Sequence, residues 1–143
     1  MTVNRATFIL AGTLLFAALA APAGAQSLQK VSLAGSAQSY RTDAAKHVYG
    51  TYAGQIYKGM LPPLVHAIVV VETEVDKAGN VRDVRVVRSP SHAPDVTKRV
   101  VGMIHKASPF PEPRQLGATR FMEVWMVDRS GRFQLHTLTE GQL

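Results

Sequence analysis

Two valine-rich runs separated by five turn residues constrain this chain more than any other feature. From Val65 to Val75 the first half is continuously apolar. The second half alternates, with Val69, Val71, Thr73 and Val75 on one side and Glu72 and Glu74 on the other. Successive side chains of a strand point to opposite faces, so this pattern predicts a strand with one buried face. Asp76-Lys77-Ala78-Gly79-Asn80 is a turn, and Val81 to Arg88 returns with Val84 and Val86 opposed to Asp83 and Arg85. Two alternating strands about a short glycine-bearing turn make an antiparallel hairpin. A hairpin cannot bury its apolar face alone, so the rest of the chain must supply the cover.

Two helices are expected to do so. From Tyr40 to about Met60, residues Ala44, Ala45, His47, Val48, Tyr52, Ile56 and Tyr57 give much of a helical stripe. Thr42 or Asp43 is the expected N-cap, Gly59 the expected stop, and Pro62-Pro63 forbids continuation. The second helix opens at Pro94, with Asp95 in its first turn, and runs to about Ala107. Val96, Val100, Met103, Ile104 and Ala107 form its buried stripe, and Pro109, Pro111 and Pro113 end it. Arg120 to Asp128 is a third strand, Arg129 to Arg132 a turn, Phe133 to Leu138 a short fourth strand, and the last five residues are expected to fray. The order helix, strand, strand, helix, strand, strand predicts an α+β domain with two helices on one face of a small antiparallel sheet.

The N-terminus reads as an address. Arg5 precedes an apolar stretch from Ala6 to Ala21, and Ala23-Gly24-Ala25 is a small-x-small cleavage signal. That predicts a secretory signal peptide over residues 1–25 and a periplasmic location for the mature chain. The alternative is an uncleaved anchor in the inner membrane facing the periplasm, although the stretch is shorter than the ~20 residues that span a bilayer comfortably. Gln26 to Ser39, small and polar, reads as a flexible leader, and residues 40–143 as the domain.

Composition removes whole classes of function. With no cysteine among 143 residues, the chain has no disulfide scaffold, thiolate metal site or cysteine nucleophile. The net charge of +6, or +5 without Arg5, invites a search for nucleic-acid binding. Arg82, Arg85, Arg88, Lys98, Arg99 and Lys106 could form one basic area, but the aromatics lie elsewhere, at 40–57 and 121–133. No nucleic-acid partner is expected. The five histidines, His47, His66, His92, His105 and His136, fit no H-E-x-x-H or other local metal spacing. Ser89-Pro90-Ser91-His92 places hydroxyls beside an imidazole, which alone is no triad. The chain is therefore expected not to be an enzyme, with no cofactor, no metal and no small-molecule substrate.

The third strand carries the candidate site. Phe121, Glu123, Trp125 and Val127 occupy one face, and Met122, Val124 and Met126 the other, so both faces are mostly apolar. Either a partner chain covers the second face, or residues near the C-terminus do. As an edge, such a strand is a template for strand addition by an extended partner segment.

In its order of motifs the chain resembles the TonB C-terminal domain family. The motifs are Leu61-Pro62-Pro63, the valine-rich strand to Val75, the Asp76…Gly79-Asn80-Val81 turn and the Val84-Arg85-Val86 return. They continue with the Ser89-Pro90-Ser91 loop, a helix opening near Asp95, Phe110-Pro111 and a final strand at 121–128. Leu61 stands where the family has tyrosine, and no long proline-rich spacer precedes the domain. The resemblance, shared in outline with TolA-type domains, implies an envelope protein in transport or energy transduction. It implies a protein partner, such as a TonB-box segment of an outer-membrane receptor, pairing with Phe121, Met122, Glu123, Val124, Trp125, Met126 and Val127. Self-association through the same strand, as a homodimer or an assembly component of the envelope, is the alternative reading.

Overall fold

The computed structural model describes residues 28–143; the expected signal peptide, with Arg5 and Ala23-Gly24-Ala25, lies outside them. Among the described residues no helix is long and apolar enough to cross a membrane. The elements are β1 (Val31–Ser32), α1 (Ala37–Thr51), β2 (Ala67–Val75), β3 (Val81–Arg88), α2 (Pro94–Lys106), β4 (Glu112–Pro113), β5 (Thr119–Val127) and β6 (Phe133–Leu135). Short 3₁₀ turns follow α1 at Ala53–Gln55 and β6 at His136–Leu138. The architecture is α+β, as the sequence predicts: an antiparallel sheet ordered β3-β2-β5-β6, with β1 and β4 as a separate parallel pair.

The hairpin forms where expected. β2 and β3 pair with Val71 opposite Val86, Thr73 opposite Val84 and Glu72 opposite Arg85. The Asp76 carboxylate builds the turn, its Oδ1 accepting from the N–H groups of Ala78 and Asn80, each at 2.9 Å. Its Oδ2 accepts from the Arg82 guanidinium at 2.7 Å. Slight burial pushes the Asp76 carboxyl upward, but the donors from Asn80, Ala78 and Arg82 outweigh it and hold the group below the ordinary carboxylate range. Gly79 turns the chain at φ +85°, in the left-handed region that favours glycine. Phe110 lies so close that its N–H donates to the Gly79 carbonyl at 2.8 Å.

One face of the sheet is buried. Ala67, Val69, Val71 and Val75 of β2 and Phe121, Trp125 and Val127 of β5 join one core with the buried stripes of α1 and α2. The stripe of α2 is the expected one, Val96, Val100, Met103, Ile104 and Ala107. In α1 it is Tyr40, Ala44, Ala45 and Val48. Side chains of α1 and its C-terminal cap satisfy carbonyls at and after the end of α2. The Tyr52 hydroxyl donates to Met103 O and the Tyr40 hydroxyl to Pro111 O, both at 2.8 Å, and His47 Nε2 lies 2.7 Å from Ala107 O. The Met103 carbonyl also takes the Ala107 N–H at 3.0 Å, and Ala107 and Pro111 lie past the last helical residue, so these three contacts tie α1 to the end of α2 and the segment after it.

The structure corrects four expectations. The helix begins before Tyr40, because Ser36 caps it in a reciprocal box with Ser39 and not through Thr42 or Asp43. Asp43 instead accepts from the Ser32 hydroxyl at 2.6 Å, which ties β1 to α1. Part of the expected leader is therefore structured, from Val31 onward. The helix also stops at Thr51 and not near Met60, since Ile56 bridges to Phe133 and the Tyr57 N–H donates to Phe133 O at 2.9 Å. The C-terminus is held by Leu61, whose N–H donates to Gly141 O and whose carbonyl accepts from Leu143 N–H, both at 2.9 Å.

Candidate functional site

The strand singled out by sequence runs from Thr119 to Val127, with the two faces read from its alternation. Phe121, Glu123, Trp125 and Val127 are buried under the helices. Met122 is exposed, and Val124 and Met126 are half-buried. Opposite them on β2 stand Glu72, Val70 and Ile68, in the register Glu72 to Met122, Val70 to Val124 and Ile68 to Met126. The outer face of the sheet thus carries an apolar patch of Ile68, Val70, Met122, Val124 and Met126. Two ion pairs border it, Glu72 with Arg85 at 3.2 Å and Glu74 with Arg120 at 2.7 Å. The C-terminal residues do not bury Met122.

The seven residues are not equivalent as an edge. β5 pairs with β2 along its whole length, from Thr119 to Val127. On the other side β6 pairs only with Trp125, Met126 and Val127, through Leu135, Gln134 and Phe133. Those three residues therefore have strand neighbours on both sides. Phe121, Met122, Glu123 and Val124 have none on the outer side among the described residues. β6 is short because the chain leaves the sheet after Leu135 into the 3₁₀ turn at His136–Leu138.

Glu123 decides how far that edge is open. Its carboxylate is buried and takes an ion pair from Arg41 of α1 at 3.0 Å. The same oxygen accepts from the N–H of Val124 at 2.9 Å and that of Thr137 at 3.3 Å. The other oxygen, Oε2, is buried without a partner among the described residues, as are Arg41 Nε and Thr137 Oγ1. Because the Val124 N–H meets this carboxylate and not β2, the alternation of a strand puts the N–H groups of Arg120 and Met122 on the same outer edge. The open template is thus Thr119 to Glu123, and its far end is capped by a side chain. Sequence reasoning missed the Arg41–Glu123 pair. The available signal was a single acid within the otherwise apolar series Phe121, Trp125 and Val127.

The other residues weighed from sequence do not gather into a second site of the kinds considered there. The Ser89 hydroxyl pairs with Thr97 Oγ1 at 2.7 Å, and His92 Nε2 lies 2.6 Å from the His66 carbonyl. No group of three or more histidines and acids capable of holding a metal occurs among the described residues. The basic area is broken up: Arg82 pairs with Asp76, Arg85 with Glu72, and Arg99 donates to Gly131 O and Gln55 Oε1. No family model, no curated protein and no solved structure matches the chain.

Proposed function

We propose that this chain is a periplasmic protein-binding domain, TonB C-terminal-like, that pairs with an extended partner segment by strand addition. The observation that carries the reading is the half-open β5, a nine-residue strand of which β6 covers only the last three. Strand addition draws its affinity from main-chain hydrogen bonds and its selectivity from pockets for alternate side chains. Here Arg120 and Met122 would supply the backbone donors, and the apolar patch around Met122 would receive the partner's side chains. The partner is a polypeptide with a short apolar, extended stretch, such as a segment of an outer-membrane receptor.

Met122→Pro tests this directly. Its N–H faces away from β2, so proline there leaves the β2–β5 ladder intact and removes a donor from the outer edge. Amide chemical-shift mapping with an unlabelled receptor-derived peptide should perturb Thr119 to Val124, and Met122→Pro should abolish the effect without lowering the melting temperature by more than a few degrees. Perturbations confined to β3, the opposite edge of the sheet, would sink the assignment. So would unchanged binding by the proline variant.

A further inference from the structure

We propose that the cleft at the end of the sheet, between the approach to β2 and the loop joining β3 to α2, binds a phosphate group through Arg88, His66, His92 and Ser91. The cleft has a volume of about 360 Å³ and is open to solvent. Its polar side chains are His66, Arg88, Ser89, Ser91 and His92, and no carboxylate lines it. Every one of these can donate a hydrogen bond, and one carries a permanent positive charge.

Arg88 is the anchor. On β3 the other two arginines are neutralised, Arg82 by Asp76 and Arg85 by Glu72. Arg88 forms no ion pair among the described residues, and the residue opposite it on β2 is Val70. A guanidinium without a carboxylate, in a cleft without an acid, favours an anion. The number of donors favours a four-oxygen group over a two-oxygen carboxylate.

The two imidazoles add a specific demand. Their ring centroids lie 5.5 Å apart with the planes at 78°. His92 Nε2 sits 2.6 Å from the His66 carbonyl, and a carbonyl can only accept, so the proton is on Nε2. Neutral His92 then offers a lone pair at Nδ1, which repels an anion. Protonated, it donates from both nitrogens, one to the carbonyl and the other free for an anion. Anion binding and His92 protonation must therefore reinforce each other. The charged and titratable groups lining the cleft are Arg88, His66 and His92 alone; α2 contributes none.

The test titrates the full-length protein with inorganic phosphate by calorimetry. Sulfate serves as a second probe, because its charge stays constant over the range in which both imidazole and phosphate titrate. Saturable binding of both anions is expected. Sulfate affinity should rise severalfold between ~pH 8 and ~pH 5.5 in the wild type and rise clearly less in His92→Gln, which leaves His66 as the one imidazole of the cleft. Arg88→Ala should weaken phosphate by about tenfold, whereas Arg129→Ala, with the same change in net charge, should not. Sedimentation with phosphatidylglycerol vesicles then separates sources. Arg88-dependent vesicle binding assigns the phosphate to a lipid headgroup, and its absence beside intact phosphate binding assigns it to a free phosphate. The proposal fails if phosphate and sulfate give no saturable heat, if Arg88→Ala and Arg129→Ala lose affinity equally, or if Zn²⁺ and not phosphate saturates the site through the two histidines.

Discussion

Gly79→Ala and Gly102→Ala are the same substitution with opposite expected signs, and the structure sets the difference. At Gly79 the backbone has φ +85°, and an added Cβ would stand 2.1 Å from the Phe110 carbonyl oxygen and 3.0 Å from its carbon. The left-handed conformation costs an alanine about 1–2 kcal/mol. Relieving the overlap requires Phe110 to withdraw, which stretches or breaks its N–H···O bond to Gly79, a loss of about 1 kcal/mol. Withdrawal is resisted, because the Phe110 ring is buried and packs on the rings of His47 and Phe121 at 4.9 and 5.8 Å. The sum is a destabilisation of about 2–3 kcal/mol, a large part of the ~5–15 kcal/mol that holds a domain together. Gly102 lies inside α2 with nothing within 4 Å of its would-be Cβ. There alanine removes conformational freedom from the unfolded chain and should stabilise by about 0.5–1 kcal/mol. Urea unfolding of the two variants and the wild type reads both numbers, with the slope against denaturant unchanged. In a thermal scan Gly79→Ala should melt about 8–12 °C lower, at ~4 °C per kcal/mol for a domain of this size. A loss below about 1 kcal/mol for Gly79→Ala would refute the close packing of the turn on Phe110.

Three further outcomes follow from the same interior. Burial raises the phenol pKa values of Tyr40, Tyr49 and Tyr52 above the ordinary value near 10. The folded state then holds protons that the unfolded state releases. Their stabilisation is complete below about pH 10 and falls as pH rises through the folded-state values; absorbance at 295 nm should show the tyrosinates appearing together with loss of the fold. Asp76, held low by its turn donors, has the opposite sign: its contribution is present above the unfolded carboxyl value and declines as pH falls through the lower folded one. Asp76→Asn should therefore flatten the acid limb of a stability–pH profile measured by urea midpoints. Glu123→Ala should cost about 2–4 kcal/mol, because it strands the Arg41 guanidinium and the N–H groups of Val124 and Thr137; denaturant unfolding checks it, and Arg41→Met with Glu123→Leu together should recover part of the loss.

The legible part of the fold was the part with a period. Alternation located β2, β3 and β5 to within two residues, and a helical stripe located α2; β2, β5 and α2 each present one buried face to one core, and β3 alternates with Val81 and Val84 only half-buried against it. What had no period was missed. β1 and β4 are two residues each and are defined by pairing with one another across the chain. The start of α1 depended on a serine pair, Ser36 with Ser39, in which the second serine does the work of the acid usually expected there. Asp43, a reasonable cap by composition, was already committed to Ser32. The helix end was set by competition: Ile56 and Tyr57 continue the helical stripe on paper, but Phe133 offers them a sheet partner, and the exposed glycines Gly50 and Gly54 make the helix weak there.

The candidate site divides along the same line. Which residues of β5 face the core is a local property, and alternation gave it. Whether β5 is an edge is not local, since it depends on where a later segment stops. β6 pairs three residues and then leaves, so Trp125 to Val127 are interior and Thr119 to Glu123 are not. Glu123 connects the two properties. Side-chain alternation sends it into the core, where Arg41 must meet it, yet its carboxylate reaches back to the N–H of the next residue. An edge that were merely unfinished would leave the Val124 N–H open for pairing. Here that donor is occupied, which under the proposed strand addition would limit an incoming strand to the Arg120 and Met122 positions and set its register against Met122. The same acid that interrupts the apolar pattern in sequence thus sets the length of the template in space.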